Sequence, residues 1–285
     1  MNLGKKYKIC LLYSGGLDSY ILYQYALKQY DKDEIKCLYW NHYQESADIE
    51  IESLPNFVEV RNVDWINKVN GYFEKEGDPS GPIYIPGRNL VFAVLSACQE
   101  LCEEIWLGAV LEEDHKGATD KNKKFLNESS KLLTYVLSPF CNNIKIRTPF
   151  VEERMTKRDI VGWALSEGCS FSDLEKTVSC YNSEEKDGKK IACGKCKQCL
   201  RRFAIFGSYG YEEKYKEHPF DSKENRDWMT GLIYELNKCD WNNPSLLNDL
   251  YWKFLLEYVE KYEKDDWVKW FYNEVKKNFK ENELL

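Results

Sequence analysis

The sequence predicts an α/β fold, in which helices cover both faces of a parallel sheet. Short runs of apolar and β-branched residues alternate, along the first two-thirds of the chain, with longer segments that have helical periodicity. Strands that are separated by helices form parallel sheets, because each helix returns the chain to the edge where the previous strand began. A chain of 285 residues with 43% hydrophobic residues can bury the core that such a fold needs.

The predicted strands and helices follow one another in a regular order. We expect five strands at residues 9–13, 35–40, 57–60, 103–110 and 145–147, and three helices at residues 19–29, 89–102 and 156–167. The last helix has a marked beginning and end, because Thr156 and Asp159 have the spacing of a capping box and Gly168 follows as a stop signal.

The chain is expected to divide into an α/β domain at residues 1–205, which includes a cysteine-rich segment at 180–199, and a helical extension at residues 206–285. Most of the net charge of −7 lies in the extension, and this change in composition marks the boundary. Apolar residues at helical spacing in the extension are Leu247, Leu250, Tyr251, Phe254, Leu255, Tyr258, Tyr262, Trp267, Trp270 and Phe271. Such stripes usually pack against protein, and a ligand pocket is the less common alternative. The extension is also a candidate surface for a protein partner.

Composition argues against several classes of function. The chain has 40 basic and 47 acidic residues, so it lacks the overall positive field that gathers nucleic acids. Its longest apolar stretch, residues 90–98, is too short to span a bilayer, and no export signal precedes the first strand. We therefore expect a cytoplasmic protein without membrane contacts, in which the 11 cysteines are thiols or metal ligands.

The segment SGGLDS, residues 14–19, joins the first predicted strand to the first predicted helix. At such a corner the first N–H groups of the helix have no partner, and glycines let the backbone curl around an anion. Ser14 and Ser19 add hydroxyl donors. A phosphate group is the expected ligand, although the spacing matches neither common nucleotide motif and the loop has no lysine. An ordinary structural turn is the alternative, because Gly-Gly and Asp-Ser pairs are frequent in loops.

Four cysteines near the end of the α/β domain have the spacing of a metal site. Cys180, Cys193, Cys196 and Cys199 include two Cys-x-x-Cys pairs, which let neighbouring thiolates turn toward one ion. Four thiolates close a tetrahedral zinc shell and leave no position for water, so the predicted Zn²⁺ is structural. An iron–sulfur cluster uses the same ligands and stays an alternative, as do free thiols.

The loop and the cysteines together resemble a known family. SGGLDS is similar to the signature of the ATP pyrophosphatases, the PP-loop superfamily with a Rossmann-like, adenine nucleotide alpha hydrolase-like domain. Three further segments resemble the 7-cyano-7-deazaguanine synthase family, which makes the nitrile precursor of queuosine: YIPGRNLVF at 84–92, SCYN at 179–182 and CGKCKQCLRR at 193–202. The resemblance covers residues 9–206.

This resemblance implies an ATP-dependent carbon–nitrogen ligase. In such enzymes the carboxylate of 7-carboxy-7-deazaguanine is adenylated, ammonia displaces AMP to give an amide, and a second activation gives the nitrile. It further implies Mg²⁺ at the phosphates, structural Zn²⁺ and a homodimer. Asp18 and Arg88 are the candidate catalytic residues, and Asp114 and Asp120 the candidate substrate-binding residues. The residues expected to bind ATP are Tyr13, Ser14, Gly15, Gly16, Leu17, Asp18, Ser19, Arg88 and Asn89.

Other assignments stay open for Arg88 and Asn89, and for the substrate. Asn89 could simply begin a helix, with Arg88 on its surface. The family's acceptor segment, of the type Asp-Tyr-Ser-Gly-Tyr-Pro-Asp-Cys-Arg, corresponds here to DHKGATDKN, residues 114–122. Asp114, Gly117 and Asp120 fit that pattern, whereas the Tyr-Pro and Cys-Arg pairs are replaced. The family's Tyr-x-Gln-Arg-His stretch is only loosely echoed by YWNHYQE, residues 39–45.

Three functions are consistent with these residues. The first is nitrile formation on the deazapurine carboxylate. The second keeps the adenylation but joins the activated carboxylate to an amine of a protein or another small molecule, for which the altered acceptor segment and the added extension argue. The third is a catalytically silent nucleotide-binding scaffold whose extension recruits a partner.

Overall fold

The computed structural model describes residues 7–42, 47–63, 87–113, 120–140, 143–180, 182–186, 189–236 and 266–281. These residues form two compact units, which are divided between Val178 and Ser179.

A five-stranded sheet forms the centre of the first unit. Its strands are β1 (Ile9–Leu12), β2 (Ile35–Asn41), β3 (Val58–Asn62), β4 (Glu104–Trp106) and β5 (Lys145–Arg147). Their order is β3-β2-β1-β4-β5, and every neighbouring pair is parallel. The predicted α/β fold with a parallel sheet is confirmed. The strand expected at 103–110 is shorter than predicted, because its pairing with both neighbours ends at Trp106.

Seven helices connect or follow the strands in the described part of this unit. They are α1 (Leu17–Leu27), α2 (Ala47–Ser53), α3 (Arg88–Glu100), α4 (Lys123–Leu137), α5 (Pro149–Glu152), α6 (Lys157–Ser166) and α7 (Phe171–Leu174). The three predicted helices correspond to α1, α3 and α6. Two short 3-10 turns, Lys32–Glu34 and Leu111–Glu113, precede β2 and follow β4.

Both faces of the sheet are covered, as apolar strands require. On one face, Ala93 and Ala97 of α3 and Leu126 and Leu133 of α4 pack into one buried cluster with residues of β1, β2, β4 and β5. On the other face, the ring of Tyr25 from α1 lies 5.2 Å from that of Trp163 in α6 and 5.5 Å from that of Phe150 in α5, measured between centroids. The inner strands β1, β2 and β4 are therefore largely shielded from water, whereas the edge strand β3 buries only Val58.

The order of the strands creates a crevice at one position in the sheet. From β1 the chain proceeds to β2 and β3 on one side, whereas β4 and β5 lie on the other side. At such a switch point the connections after the two central strands turn to opposite faces, so a crevice opens beyond their carboxyl ends. Gly108, just after β4, faces this region, since a Cβ atom added there would lie 3.4 Å from the backbone nitrogen of Ser19.

The second unit contains a small hairpin and three helices among its described residues. The strands are β6 (Glu184–Lys186) and β7 (Lys189–Ile191), which pair antiparallel, and the helices are α8 (Lys197–Gly207), α9 (Lys223–Leu236) and α10 (Asp266–Glu281). The boundary that composition placed at residue 205 falls inside α8, and the domain division stays a prediction.

Part of the extension is helical as predicted. In α10, Phe271 is fully buried, Trp267 stacks on it at 5.3 Å between ring centroids, and Trp270 is 40% exposed. The guanidinium of Arg226 in α9 lies 4.9 Å from the ring of Trp267. The apolar residues at 247–262 lie outside the described residues. No helix in the described part of the chain has the length and apolar composition that a membrane span needs.

The capping box of α6 provides a test of the fold. Thr156 Oγ1 accepts a hydrogen bond from Asp159 N at 3.2 Å, and Asp159 Oδ2 accepts one from Thr156 N at 2.9 Å. Thr156→Ala should lower the free energy of unfolding by about 1 kcal/mol, because it leaves the N–H of Asp159 without its acceptor. Thr156→Ser keeps the hydroxyl and should stay close to wild type in chemical denaturation. Equal destabilisation by both substitutions would contradict the assignment.

Candidate active site

The loop at residues 14–19 lies beyond the carboxyl end of β1 and opens α1. Tyr13 extends the ladder by donating its backbone N–H to Leu38 O at 2.8 Å. Gly15 then takes φ +77°, and a side chain there would approach Ser53 Oγ to 2.9 Å. Gly16 is the N-cap of α1 and contributes no side-chain cap. The first N–H groups of the helix therefore keep their capacity to bind an anion.

Two hydroxyls hold the loop in shape. Ser19 Oγ donates to Gly16 O at 2.9 Å and lies 3.2 Å from the backbone nitrogen of Ser14, from which it accepts. Ser14 Oγ lies 3.3 Å from Ser19 Oγ and accepts from Gly16 N at 3.4 Å. The side chains of Tyr13 and Leu17 are buried in the core and anchor the two ends of the loop. The loop is thus organised by its own residues.

Asp18 is the acidic residue of this loop, and its two carboxylate oxygens differ. Oδ2 forms an ion pair with Lys157 Nζ at a distance of 3.1 Å. Oδ1 is buried and has no hydrogen-bond partner among the described residues. A buried carboxylate oxygen without a partner is costly, and a cation would satisfy it.

Lys157 supplies the positive charge that the loop itself lacks. It is the first residue of α6, and its backbone N–H donates to both carboxylate oxygens of Glu112 at 2.9 and 3.2 Å. Burial raises the pKa of Glu112, and the negative charge of Asp18 contributes in the same direction. The lysine therefore lies between two carboxylates, one at its ammonium group and one at its backbone.

A second ion pair continues this cluster. Lys121 Nζ contacts Glu113 Oε1, and Glu113 Oε2 accepts from Val110 N at 3.3 Å. Burial opposes the ionisation of Glu113, but the positive charges of Lys121 and Lys157 outweigh it and lower its pKa. Acidic and basic groups thus alternate from Asp18 to Lys121. Sequence reasoning missed Lys157, Glu112 and Glu113. The position of Lys157 directly after the predicted N-cap Thr156 was the one available signal, because helix starts face the carboxyl edge of a parallel sheet.

Of the predicted residues outside the loop, the structure brings two together. Arg88 and Asn89 form the first turn of α3, after Gly87 at φ +73°. Asn89 Nδ2 lies 3.0 Å from Asp120 Oδ2 and 3.3 Å from Asp120 O. Arg88 is half-buried and forms no ion pair with the described residues. Asp114 lies outside the described residues.

The four predicted cysteine ligands meet in the second unit. Cys180, Cys193, Cys196 and Cys199 are all buried, and their sulfur atoms lie within 4.8 Å of one another. Two of the sulfur–sulfur distances are 3.4 Å, between Cys196 and Cys199, and 3.8 Å, between Cys193 and Cys199. A zinc–sulfur bond of about 2.3 Å in a tetrahedron requires sulfur atoms about 3.8 Å apart. The cluster therefore fits a tetrahedral metal ion such as zinc.

Backbone N–H groups point at two of these sulfurs. Cys193 N donates to Cys180 Sγ, and Lys195 N donates to Cys193 Sγ, both at 3.3 Å. Such donors favour the thiolate form that binds metal. The turn between Cys193 and Cys196 needs a glycine, because Gly194 has φ +78° and a Cβ atom there would lie 1.6 Å from Glu217 O.

The chain that follows α8 packs back onto this turn. Lys216 N donates to Ala192 O at 2.9 Å, and Asn225 Nδ2 donates to Gly194 O at 2.7 Å. The nearly buried Arg202 forms two 2.8 Å hydrogen bonds with Glu213. Residues 213–225 therefore depend on the cysteine turn for their position, and sequence spacing had not indicated this.

Sequence comparisons with known proteins match the part of the chain that contains the loop and the four cysteines. The model of the family described as "Queuosine biosynthesis protein QueC" matches residues 8–210, close to the predicted extent of 9–206. The 7-cyano-7-deazaguanine synthase of a Nitratiruptor species is 32% identical over 228 residues, which are 73% of this chain and 97% of that protein. The synthase of the same name from Campylobacter jejuni (strain ATCC 700819) is 31% identical over 236 residues, 74% and 98% of the two chains.

An archaeal relative extends the comparison. The 7-cyano-7-deazaguanine synthase of Methanocaldococcus jannaschii is 28% identical over 243 residues, which cover 73% of this chain and 98% of the relative. The family model covers well over half of the chain, from β1 to the end of α8. That range includes both the loop after β1 and the four buried cysteines. The chain therefore belongs to the QueC family.

Proposed function

We propose that the protein is a 7-cyano-7-deazaguanine synthase that converts 7-carboxy-7-deazaguanine, ATP and ammonia to the nitrile. The observation that carries the proposal is the loop at residues 14–19, which lies with Lys157 at the switch point of the sheet in a chain of the QueC family. A helix N-terminus, two serine hydroxyls and a lysine form an environment that suits a pyrophosphate group.

The proposed reaction activates a carboxylate that is a poor acceptor on its own. A carboxylate oxygen attacks the α-phosphorus of ATP, and pyrophosphate leaves. Ammonia then attacks the carbonyl carbon, AMP leaves, and the amide remains. The amide oxygen attacks a second ATP in the same way, and loss of AMP together with the amide protons gives the nitrile. Each activation replaces an oxide leaving group by AMP, so one loop can serve both steps.

Lys157 is the proposed counter-charge for the departing pyrophosphate. Its ammonium is held by Asp18 at 3.1 Å, and its backbone is fixed by Glu112. The α1 N–H groups and the hydroxyl of Ser14 would bind the phosphate oxygens, while Ser19 would keep the loop in shape by donating to Gly16 O. Arg88 would add a second positive charge from the first turn of α3. Charge that develops on the leaving group is then met by donors that are already in place.

Asp18 is the residue that would hold Mg²⁺. Its orphaned Oδ1 is an oxygen ligand of the kind that Mg²⁺ prefers. When bound, Mg²⁺ would neutralise phosphate charge and polarise the α-phosphorus. The four cysteines are proposed to hold Zn²⁺ in a structural role.

Three further properties stay predictions from the sequence. They are assembly as a homodimer, a cytoplasmic location and a protein partner for the extension.

A direct assay tests the proposed reaction. Purified protein with 7-carboxy-7-deazaguanine, ATP, Mg²⁺ and ammonium should form 7-cyano-7-deazaguanine, AMP and pyrophosphate, detected by mass spectrometry. Asp18→Ala should abolish pyrophosphate release, because it removes the partner of Lys157 and a Mg²⁺ ligand. Wild-type protein that releases pyrophosphate but forms no nitrile would favour the alternative of conjugation to another amine. Absence of pyrophosphate release would favour the silent scaffold.

Lys157 provides a sharper test of the nucleotide site. Lys157→Met should raise the KM for ATP roughly ten- to a hundredfold, since a hydrogen bond to a charged group is worth about 1.5–3 kcal/mol. Lys157→Arg should recover part of this loss, because it keeps the charge. Lys131→Met is the matched control, since Lys131 is exposed on α4 and pairs with Glu128 of the same helix. Equal KM values for Lys157→Met and the control would contradict the assignment.

Metal analysis tests the cysteine site. The purified protein should contain about one zinc per chain, and Cys196→Ser should lose the metal and melt at a lower temperature. We also expect residues 213–225 to become accessible to protease in that variant, because they pack on the cysteine turn. Cys98→Ser is the matched control, since Cys98 is an exposed cysteine of α3. Iron in place of zinc, or full stability without metal, would overturn the assignment.

A further inference from the structure

The contact between Asn89 and Asp120 joins the starts of two helices. Asn89 lies in the first turn of α3, and Asp120 lies two residues before Asn122, the N-cap of α4. Both helices cover the same face of the sheet, and both begin at its carboxyl edge, where the loop at residues 14–19 also lies. The contact therefore lies at the same edge of the sheet as the loop at residues 14–19.

The hydrogen bonds of Asn89 limit what its side chain can do for a nucleotide. A primary amide has two N–H donors. Both partners of Asn89 on Asp120, the carboxylate oxygen Oδ2 at 3.0 Å and the backbone oxygen at 3.3 Å, are acceptors, so the amide presents its nitrogen to them. The amide nitrogen is therefore directed at Asp120, and binding of ATP by Asn89 stays a prediction.

Asp120 is fixed from several directions. Asp120 is only 9% exposed to solvent. Lys121, the next residue, is tied to Glu113, and Asn122 caps α4 by accepting from Phe125 N at 3.0 Å. The backbone of this turn is therefore anchored, and Asn89 determines the orientation of the Asp120 carboxylate through Oδ2. A carboxylate has about four acceptor positions, so capacity for a ligand remains after this bond.

We propose that Asn89 is a positioning residue of the acceptor site, which orients Asp120 to accept from the N–H edge of a guanine-like heterocycle. This inference rests on the proposed function. A guanine-type ring presents a ring N–H and an exocyclic NH₂ side by side, and a carboxylate matches that pair of donors. A carboxylate that is locked before binding loses little rotational freedom when the ring arrives.

The expected consequence is a selective loss of acceptor binding. Asn89→Ala frees the Asp120 carboxylate to rotate and should weaken binding of 7-carboxy-7-deazaguanine roughly tenfold, as for the loss of one hydrogen bond to a charged group. Binding of a non-hydrolysable ATP analogue should change less than about twofold, within the ordinary scatter of a surface substitution. Isothermal titration calorimetry of the full-length chain measures both ligands without requiring turnover.

A double-mutant cycle separates positioning from general damage. Asp120→Asn keeps the shape of the side chain but replaces an acceptor by a donor, so it should weaken acceptor binding by itself. Asn89→Ala should add no further loss in the Asp120→Asn background, because the two residues act through one carboxylate. Asn122→Ala is the matched control, since it loosens the same turn and should lower the melting temperature without a selective loss of acceptor affinity.

The outcomes distinguish this inference from the proposed function. If Asn89→Ala weakens the ATP analogue and spares the acceptor, or if its effect adds fully to that of Asp120→Asn, the positioning role is wrong while the proposed function stands. If wild-type protein binds the ATP analogue but not 7-carboxy-7-deazaguanine, the proposed function and this inference are both overturned.

Discussion

The structure of the first unit depends on one constraint, that β1 is the central strand and is paired on both edges. Because β1 must be buried, the chain reaches solvent where it leaves the strand, at the exposed Ser14 and the half-buried Gly16. The same order of strands turns the connections after β1 and β4 to opposite faces, so the loop and Gly108 meet at one crevice. The position of the proposed anion site is thus a consequence of how the sheet is built.

The charges around that crevice compensate one another. Asp18 holds Lys157, Glu112 holds the backbone of Lys157, and Glu113 holds Lys121. Such a cluster keeps a lysine in place without leaving an unpaired buried charge. It also supplies the lysine that the glycine loop itself lacks, since α6 packs beside α1 on the same face of the sheet and places Lys157 next to Asp18.

Residues of the predicted acceptor segment make structural contacts in this chain. Lys121 forms an ion pair with Glu113, and Asn122 caps α4. The Asp120 carboxylate accepts a hydrogen bond from Asn89. In the second unit, the cysteine turn positions residues 213–225 through the close approach of Gly194 to Glu217.

The sequence alone determined the features that arise from local interactions. Short apolar runs predict the strands, and the Thr156 and Asp159 pair predicts the start of α6. The spacing of the four cysteines predicts their cluster, because it lets neighbouring thiolates face one metal ion. It did not reveal α4, because exposed apolar residues such as Leu132 and Tyr135 blur the helical pattern of its buried face. Only the tertiary structure decided that Lys157 meets Asp18 and that Asn89 meets Asp120. Each pair forms because the carboxyl end of a strand or the start of one helix lies next to the start of another. The order of the strands in the sheet determines which of these ends are neighbours, and that order results from packing of the whole sheet.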